Sequence, residues 1–393
     1  MYKILTLNNI SVEGLDRLPR DSYEIASEIQ HPDAIMLRSF NMHDMEIPES
    51  LQAVARAGAG VNNIPIDSLA ARGIPVFNAP GANANAVKEL VIAGVLLAAR
   101  NLCPAWNYVR ELDGEGAALS KQVEAGKKQF VGYELPSRTL GVLGLGAIGV
   151  QVANTALSLG MRVIGFDPQM TVQRAWELSS GVQQARSLDD LVGRCDVLTM
   201  HIPLVDATKN LLNAERIGLM PNDAVILNFS RGGIVDNHAV LAALNEGTLA
   251  NYVTDFPTRD LLGNDKVIGL PHLGASTHEA ESNCAVMVAN NLRDYIEHGI
   301  VRHSVNFPEV DMPRANAHRL TLANANVPNM VGQISTVLAD AGLNIQDLLN
   351  KSRGEVAYTI VDLDGDVTDA TIDQLRAIEG VLGVRDLGRP AAV

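Results

Sequence analysis

The sequence predicts an α/β protein of two doubly wound parallel-sheet lobes followed by a C-terminal ferredoxin-like α+β domain. Three observations predict it. Two successive series of short apolar runs alternate with amphipathic stretches. A glycine-rich turn stands at the first strand–helix junction of the second series. The last 75 or so residues read strand–helix–strand–strand–helix–strand.

The elements follow in order. In the first series residues 2–7, 34–37, 51–57 and 75–78 read as strands, with a helix over 66–72. A helical pattern over 85–110, interrupted only by Pro104, leads into a loop over 114–132. The second series places strands at 139–143, 162–166, 182–185, 196–200, 224–228, 251–254 and 267–270, and a long helix over 276–298 follows. Pro308 and Pro313 mark 306–318 as a linker. Beyond it come strand 319–324, helix 329–341, strands 343–352 and 355–362, helix 368–377 and strand 381–386.

Composition narrows the functional classes. The 393 residues, 47% hydrophobic and 19% charged, suffice for two or three domains and exclude an intrinsically disordered chain. With 31 Lys and Arg against 45 Asp and Glu the net charge is −14, which argues against nucleic acid or an anionic membrane as partner. Cys103, Cys195 and Cys284 are scattered, so neither a disulfide framework nor a metal site is expected. Residues 90–99, the longest apolar run, amount to about half a membrane span. Without a secretory-type apolar run near Met1, the expected compartment is the cytoplasm.

Gly144, Gly146 and Gly149 form G-x-G-x-x-G, with Ala147 and Ile148 opening a helix. The first glycine permits the tight turn, the second lets backbone approach a pyrophosphate, and the third lets helix pack against strand. The helix start adds amide donors and positive dipole. Asp167, at the end of the next strand, suits ribose hydroxyls and repels a 2′-phosphate, which favours NAD over NADP. Two further groups stand at strand ends: Arg231 after 224–228 and His272 after 267–270. A histidine can take the hydroxyl proton released in an alcohol oxidation, and a guanidinium can hold a carboxylate and polarise a forming carbonyl.

These residues resemble the D-isomer-specific 2-hydroxyacid dehydrogenases, through 78–83 with 89–92, the 141–149 turn, His201-Ile-Pro203 with Thr208, Ser230-Arg-Gly-Gly and the His272 motif. The resemblance implies two Rossmann-like lobes: a substrate lobe of 1–88 and 277–305, and an NAD domain of 89–276. It implies His272 as acid/base and Arg231 as substrate clamp. Gly144, Gly146, Ala147, Ile148, Gly149, Asp167, His201, Pro203, Thr208 and Asp255 are then expected at the cofactor, Asp255 at the carboxamide. Gly60, Val61 and Asn62 are expected at the substrate carboxylate, and Arg38 with Ser39 at a substrate phosphate. The implied reaction is NAD-dependent oxidation of 3-phospho-D-glycerate, by a homodimer or homotetramer. Reduction of hydroxypyruvate or glyoxylate, and NAD sensing without turnover, are the rival readings.

One departure stands out. Most members pair the histidine with a glutamate, but Arg259 occupies that place here. Asp260 or Asp255 could substitute, or the histidine works without a carboxylate. The last segment, 319–393, resembles an ACT domain, which implies a serine effector at Asn326 and Asn344.

Overall fold

The computed structural model describes residues 1–314 and 316–390; position 315 of the expected linker and positions 391–393 of the expected C-terminal domain lie outside the described residues. Two compact units result, Met1–Asn83 with His278–Val393, and Ala84–Thr277. The breaks fall at 83/84 and 277/278, against the expected 88/89 and 276/277.

In the unit Ala84–Thr277, seven strands form one parallel sheet, in the order Val267–Gly269, Leu249–Thr254, Ala224–Asn228, Val197–Met200, Thr139–Leu143, Arg162–Phe166, Gln183–Gln184. The order reverses beside Thr139–Leu143, the switch point of a dinucleotide-binding sheet. Thr139–Leu143 and Ala224–Asn228 are buried at every position, which is why they read as continuous apolar runs.

Two expectations in this unit are corrected. The long helix is two helices, Ala84–Ala99 and Leu102–Arg110. The break is at Asn101, in the left-handed region (φ 50°), rather than at Pro104, which falls in a first turn where its missing N–H costs little. The expected loop over 114–132 is mostly helical: Gly116–Gly126 and the 3-10 turn Lys127–Phe130. Its run of Ala, Leu, Lys, Gln and Glu has strong helix propensity, and Gly126 lies under the Tyr108 ring, where a Cβ would come within 2.3 Å.

The other unit carries a parallel sheet in the order Tyr23–Ala26, Tyr2–Leu7, Ala34–Leu37, Ala53–Arg56, Val76–Phe77. Its switch point lies between Tyr2–Leu7 and Ala34–Leu37. Tyr23–Ala26 is a short edge strand absent from the sequence reading. The helix His278–His298 returns to this sheet and buries Cys284, Val288, Leu292 and Tyr295 in its core.

The C-terminal domain is an antiparallel sheet, ordered Ile345–Arg353, Val356–Leu363, His318–Ala325, Val381–Gly388, with helices Met330–Asp340 and Asp369–Arg376. Alternation divides its strands. Leu320, Leu322, Val361 and Leu363 share a core with the two helices, while Ala323, Val356, Tyr358 and Ile360 pack with Tyr295, Ile296 and Phe307. The sheet is therefore covered on both faces within one compact unit. The stretch read as a linker is itself core: Phe307 and Val310 are fully buried.

The docking has a polar cause. A helix leaves its last carbonyls without intrahelical partners, and its negative end favours cations. At the end of His278–His298, Arg385 donates to the carbonyls of Tyr295 (3.0 Å) and Ile296 (2.9 Å), Arg314 to Glu297, Arg319 to His298 (3.0 Å), and the Tyr358 hydroxyl to Gly299 (2.9 Å). Arg319 is fully buried and also grips Asp362 through Nε and Nη2 (2.6 and 2.7 Å).

Candidate active site

The glycine turn is shaped by steric need. Gly144 has φ +87°, and a Cβ on it would lie 2.6 Å from the His201 carbonyl; one on Gly149 would lie 1.9 Å from the Gly144 carbonyl. Gly146, the N-cap of helix Ala147–Ser158, faces open space. Two glycines close the turn and the middle one leaves a cradle a pyrophosphate can enter. Asp167 accepts from the amides of Leu145 and Gln169, both at 2.8 Å, which fixes its carboxylate beside that turn. The open cradle at Gly146 and the carboxylate acceptor beside it fit NAD.

His201 follows strand Val197–Met200. Its Nε2 lies 3.1 Å from Thr199 Oγ1 and its Nδ1 is buried without a partner. Burial pushes its pKa down to about 3, so the ring is neutral. Thr208 donates to the Pro203 carbonyl (2.7 Å) and accepts from the Val205 amide (2.8 Å), so these two expected cofactor residues hold one loop together.

Arg231 and His272 both follow strand ends of this sheet. Buried Asn228 makes the first turn, accepting from the Ser230 amide (3.2 Å) and donating to the Arg231 carbonyl (2.9 Å). Ser230 Oγ donates to the Met200 carbonyl. The Arg231 guanidinium donates to the Ser230 carbonyl (2.6 Å), and burial lowers its pKa from the usual arginine value.

His272 has φ +55°, a left-handed backbone uncommon outside glycine. Asp255 explains how it is held. Only 2% exposed, its two oxygens accept from the amides of Leu273 (2.9 Å) and Gly274 (2.8 Å), the residues directly after the histidine. The Asp255 amide donates to the Asn228 carbonyl (3.1 Å), tying the histidine loop to the arginine turn. Phe256 joins them from the other side: its ring lies 4.8 Å from the His272 ring, and a Cβ on Gly232 would sit 3.2 Å from its Cβ.

Asp255 is thus occupied as a loop anchor rather than as a group open to a carboxamide. Asp260 accepts from Thr258 Oγ1 (2.5 Å), and that bond draws its pKa down. Among the described residues no carboxylate hydrogen-bonds the His272 imidazole, and Arg259 is exposed.

In the other unit, Arg38 and Ser39 leave the carboxyl end of Ala34–Leu37 at the switch point. Asn8, with φ +75°, accepts from the amides of Ser39 (3.1 Å) and Phe40 (2.6 Å) and folds that turn. Arg38 pairs with Glu281 at 2.7 Å. After Ala53–Arg56, Gly58 has φ +153°, and a Cβ there would strike the Arg56 guanidinium. The following amides of Gly60, Val61 and Asn62 donate to nothing among the described residues, which leaves a run of N–H groups for an anion. Neither Asn8 nor Asn228 was singled out from sequence; an asparagine just past an apolar run is their only signal.

Asn326 and Asn344 are not brought together within one chain. They flank opposite ends of helix Met330–Asp340, about 16 Å of helix apart. Asn326 donates to the Gly354 carbonyl (3.0 Å), and the Asn344 amide to Asp364 (3.0 Å).

Comparison with known proteins decides the family. Residues 92–280 match the profile described as D-isomer specific 2-hydroxyacid dehydrogenase, NAD binding domain. A D-3-phosphoglycerate dehydrogenase of Haemophilus influenzae is 32% identical over 382 residues, 93% of this chain and 89% of that protein. The chain belongs to the D-isomer-specific 2-hydroxyacid dehydrogenase family. As a member it is an NAD-dependent dehydrogenase, and Ala84–Thr277 is its NAD-binding unit.

Another family member, a D-3-phosphoglycerate dehydrogenase of Methanocaldococcus jannaschii, is 34% identical over 86% of this chain, and the chain spans 63% of that relative's length. Among solved structures, the TT0316 protein of Thermus thermophilus superposes with a TM-score of 0.64 at 25% identity, covering 77% of this chain and 99% of its own. The NAD+-bound 3-phosphoglycerate dehydrogenase of Entamoeba histolytica shares the fold, with a TM-score of 0.62 at 24% identity over 77% of this chain and 98% of its own. No helix among the described residues is long and apolar enough to cross a membrane.

Proposed function

We propose that this dehydrogenase oxidises 3-phospho-D-glycerate to 3-phosphohydroxypyruvate. The observation that carries the reading is the anchored His272 loop, tied through Asp255 to the Arg231 turn in the same sheet that forms the dinucleotide cradle. Relatives named D-3-phosphoglycerate dehydrogenase, at 32–34% identity, support the choice of substrate.

Bound NAD supplies the acceptor for the C2 hydride. His272 takes the hydroxyl proton in the same step, so the alcohol leaves as a ketone with charge and atoms balanced. Arg231, half buried, donates to the substrate carboxylate and to the oxygen becoming a carbonyl; partial burial strengthens both bonds. Phe256 and the Asp255 anchor hold the imidazole in place, the work a partner carboxylate does elsewhere in the family. Within the other unit, taken by itself, Arg38 with the Ser39 turn suits a phosphate, and the amides of Gly60, Val61 and Asn62 suit a carboxylate. His201 and Asp167 line the cofactor side, with Pro203 and Thr208 shaping the neighbouring loop.

Serine, if it acts through Asn326 and Asn344, needs two copies of the chain, since one copy keeps them at opposite helix ends. The serine-regulated reading therefore includes a homo-oligomer. Three unbridged cysteines suit a reducing cytoplasm.

The missing carboxylate beside His272 favours one rival, an NAD-binding regulator without turnover. Steady-state oxidation of NADH with phosphohydroxypyruvate, hydroxypyruvate or glyoxylate, each with and without serine, separates the readings. The phosphorylated substrate should be preferred, and His272→Ala should lower kcat by about 10²- to 10⁴-fold with NADH affinity kept. NADH binding with no turnover of any of the three would establish the regulator instead.

A further inference from the structure

The docked face of the C-terminal sheet is not filled throughout. Between it and the amino ends of strands Ala53–Arg56 and Val76–Phe77 lies a cavity of about 230 Å³. It is at the opposite end of those strands from the Gly60–Asn62 amides. The cavity exists because small residues meet there: Ala323 and Gly383 are cross-strand partners, and Gly73 approaches from the parallel-sheet side with φ +72°. A Cβ built on Gly383 meets no atom within 4 Å.

Its walls are Leu51, Ile74, Val384 and Tyr295, and its polar groups are Glu49, Gln52, Arg72, Arg385 and Thr321. Arg385 stacks on the Tyr295 ring at 4.3 Å and uses three of its five donors, on Gln52 Oε1 (3.0 Å) and the carbonyls of Tyr295 and Ile296. Arg72 is oriented by the carbonyls of Ile47 (3.0 Å) and Pro48 (2.9 Å). Thr321, the cross-strand partner of Arg385, is 1% exposed, and its hydroxyl faces the Tyr358 hydroxyl, which donates to Gly299.

We propose that this cavity binds a small carboxylate anion, held by the Arg385 and Arg72 guanidinium groups with the Thr321 hydroxyl as a further donor. Planar forks match a carboxylate, and Leu51 and Ile74 beside them offer a short carbon chain a surface that an inorganic anion does not use. The volume is below that of drug-sized ligand pockets, so the occupant has few heavy atoms. Two guanidiniums against one Glu49 carboxylate leave a single positive charge, which a monocarboxylate neutralises.

Calorimetric titration of the full chain with butyrate tests this without reference to the proposed reaction. One saturable site per chain is expected, with phosphate binding more weakly. Gly383→Val, at a position where a Cβ meets no atom within 4 Å, should weaken binding at least 10-fold and leave NADH turnover unchanged. Thr321→Val, nearly isosteric, should weaken it several-fold. No saturable binding, affinity unchanged in both variants, phosphate binding more tightly than butyrate, or binding abolished by Arg231→Ala would each overturn the proposal.

Discussion

Single residues decide how the catalytic loop is held. Asp255 has two acceptor oxygens facing two amides, and Asn would turn an NH₂ toward one of them, leaving a buried donor unsatisfied. Asp255→Asn should therefore lower kcat by at least 10-fold while the dissociation constant of NADH, followed by fluorescence, changes little. His201 makes a different test. Its folded pKa, about 3, lies below the ordinary value of 6.5, so between these pH values the unfolded chain binds the extra proton. Its contribution is complete above about pH 6.5 and is lost as pH falls toward 3, at no more than about 1.4 kcal/mol per pH unit. Urea unfolding midpoints of His201→Gln should fall less steeply across that window than those of the parent. His272 could be found from sequence because it follows an apolar strand, and His201 only through the family resemblance. What holds the site loops could not: Asp255 at the His272 loop, Asn228 at the Arg231 turn and Asn8 at the Ser39 turn accept from backbone amides, which every residue but proline carries and no sequence pattern marks.

Elements show a similar division. Strands such as Thr139–Leu143 and Ala224–Asn228 were legible because burial on both faces demands unbroken apolar runs. Tyr23–Ala26 was not, because a four-residue edge strand needs no such run. The glycine turn was legible in full, and the structure now separates its members. Gly149→Ala has no room for its methyl group and should lower the unfolding midpoint; Gly146→Ala has room, and should fold normally yet bind NADH at least 10-fold more weakly. Thermal melts of the two variants with and without NADH distinguish the cases. Equal stability losses in both would show that the middle glycine serves the turn rather than the pyrophosphate.

At the scale of the molecule, the sequence reading expected a linker and a small separate domain, and the structure shows one packed unit. The reason lies in side chains that sequence pattern alone files as solvated. Arg314, Arg319 and Arg385 reach the carbonyls at the end of His278–His298, and no periodicity announces that. Arg319→Ala would strand Asp362 as a buried unpaired charge and should cost about 3–5 kcal/mol in denaturant unfolding of the intact chain. Replacing Arg319 and Asp362 together by apolar residues of similar volume should recover most of that loss.

The arginine-held helix end also bears on how such a chain can be recombined. A gene fragment encoding 319–393, joined to an unrelated dehydrogenase, would carry its basic side chains away from the carbonyls they serve and present a greasy sheet face to water. An inherited exchange of this domain should therefore bring the last turns of the preceding helix with it, so that the workable crossover point lies upstream of Tyr295 and not in the proline-containing stretch where a splice looks easiest.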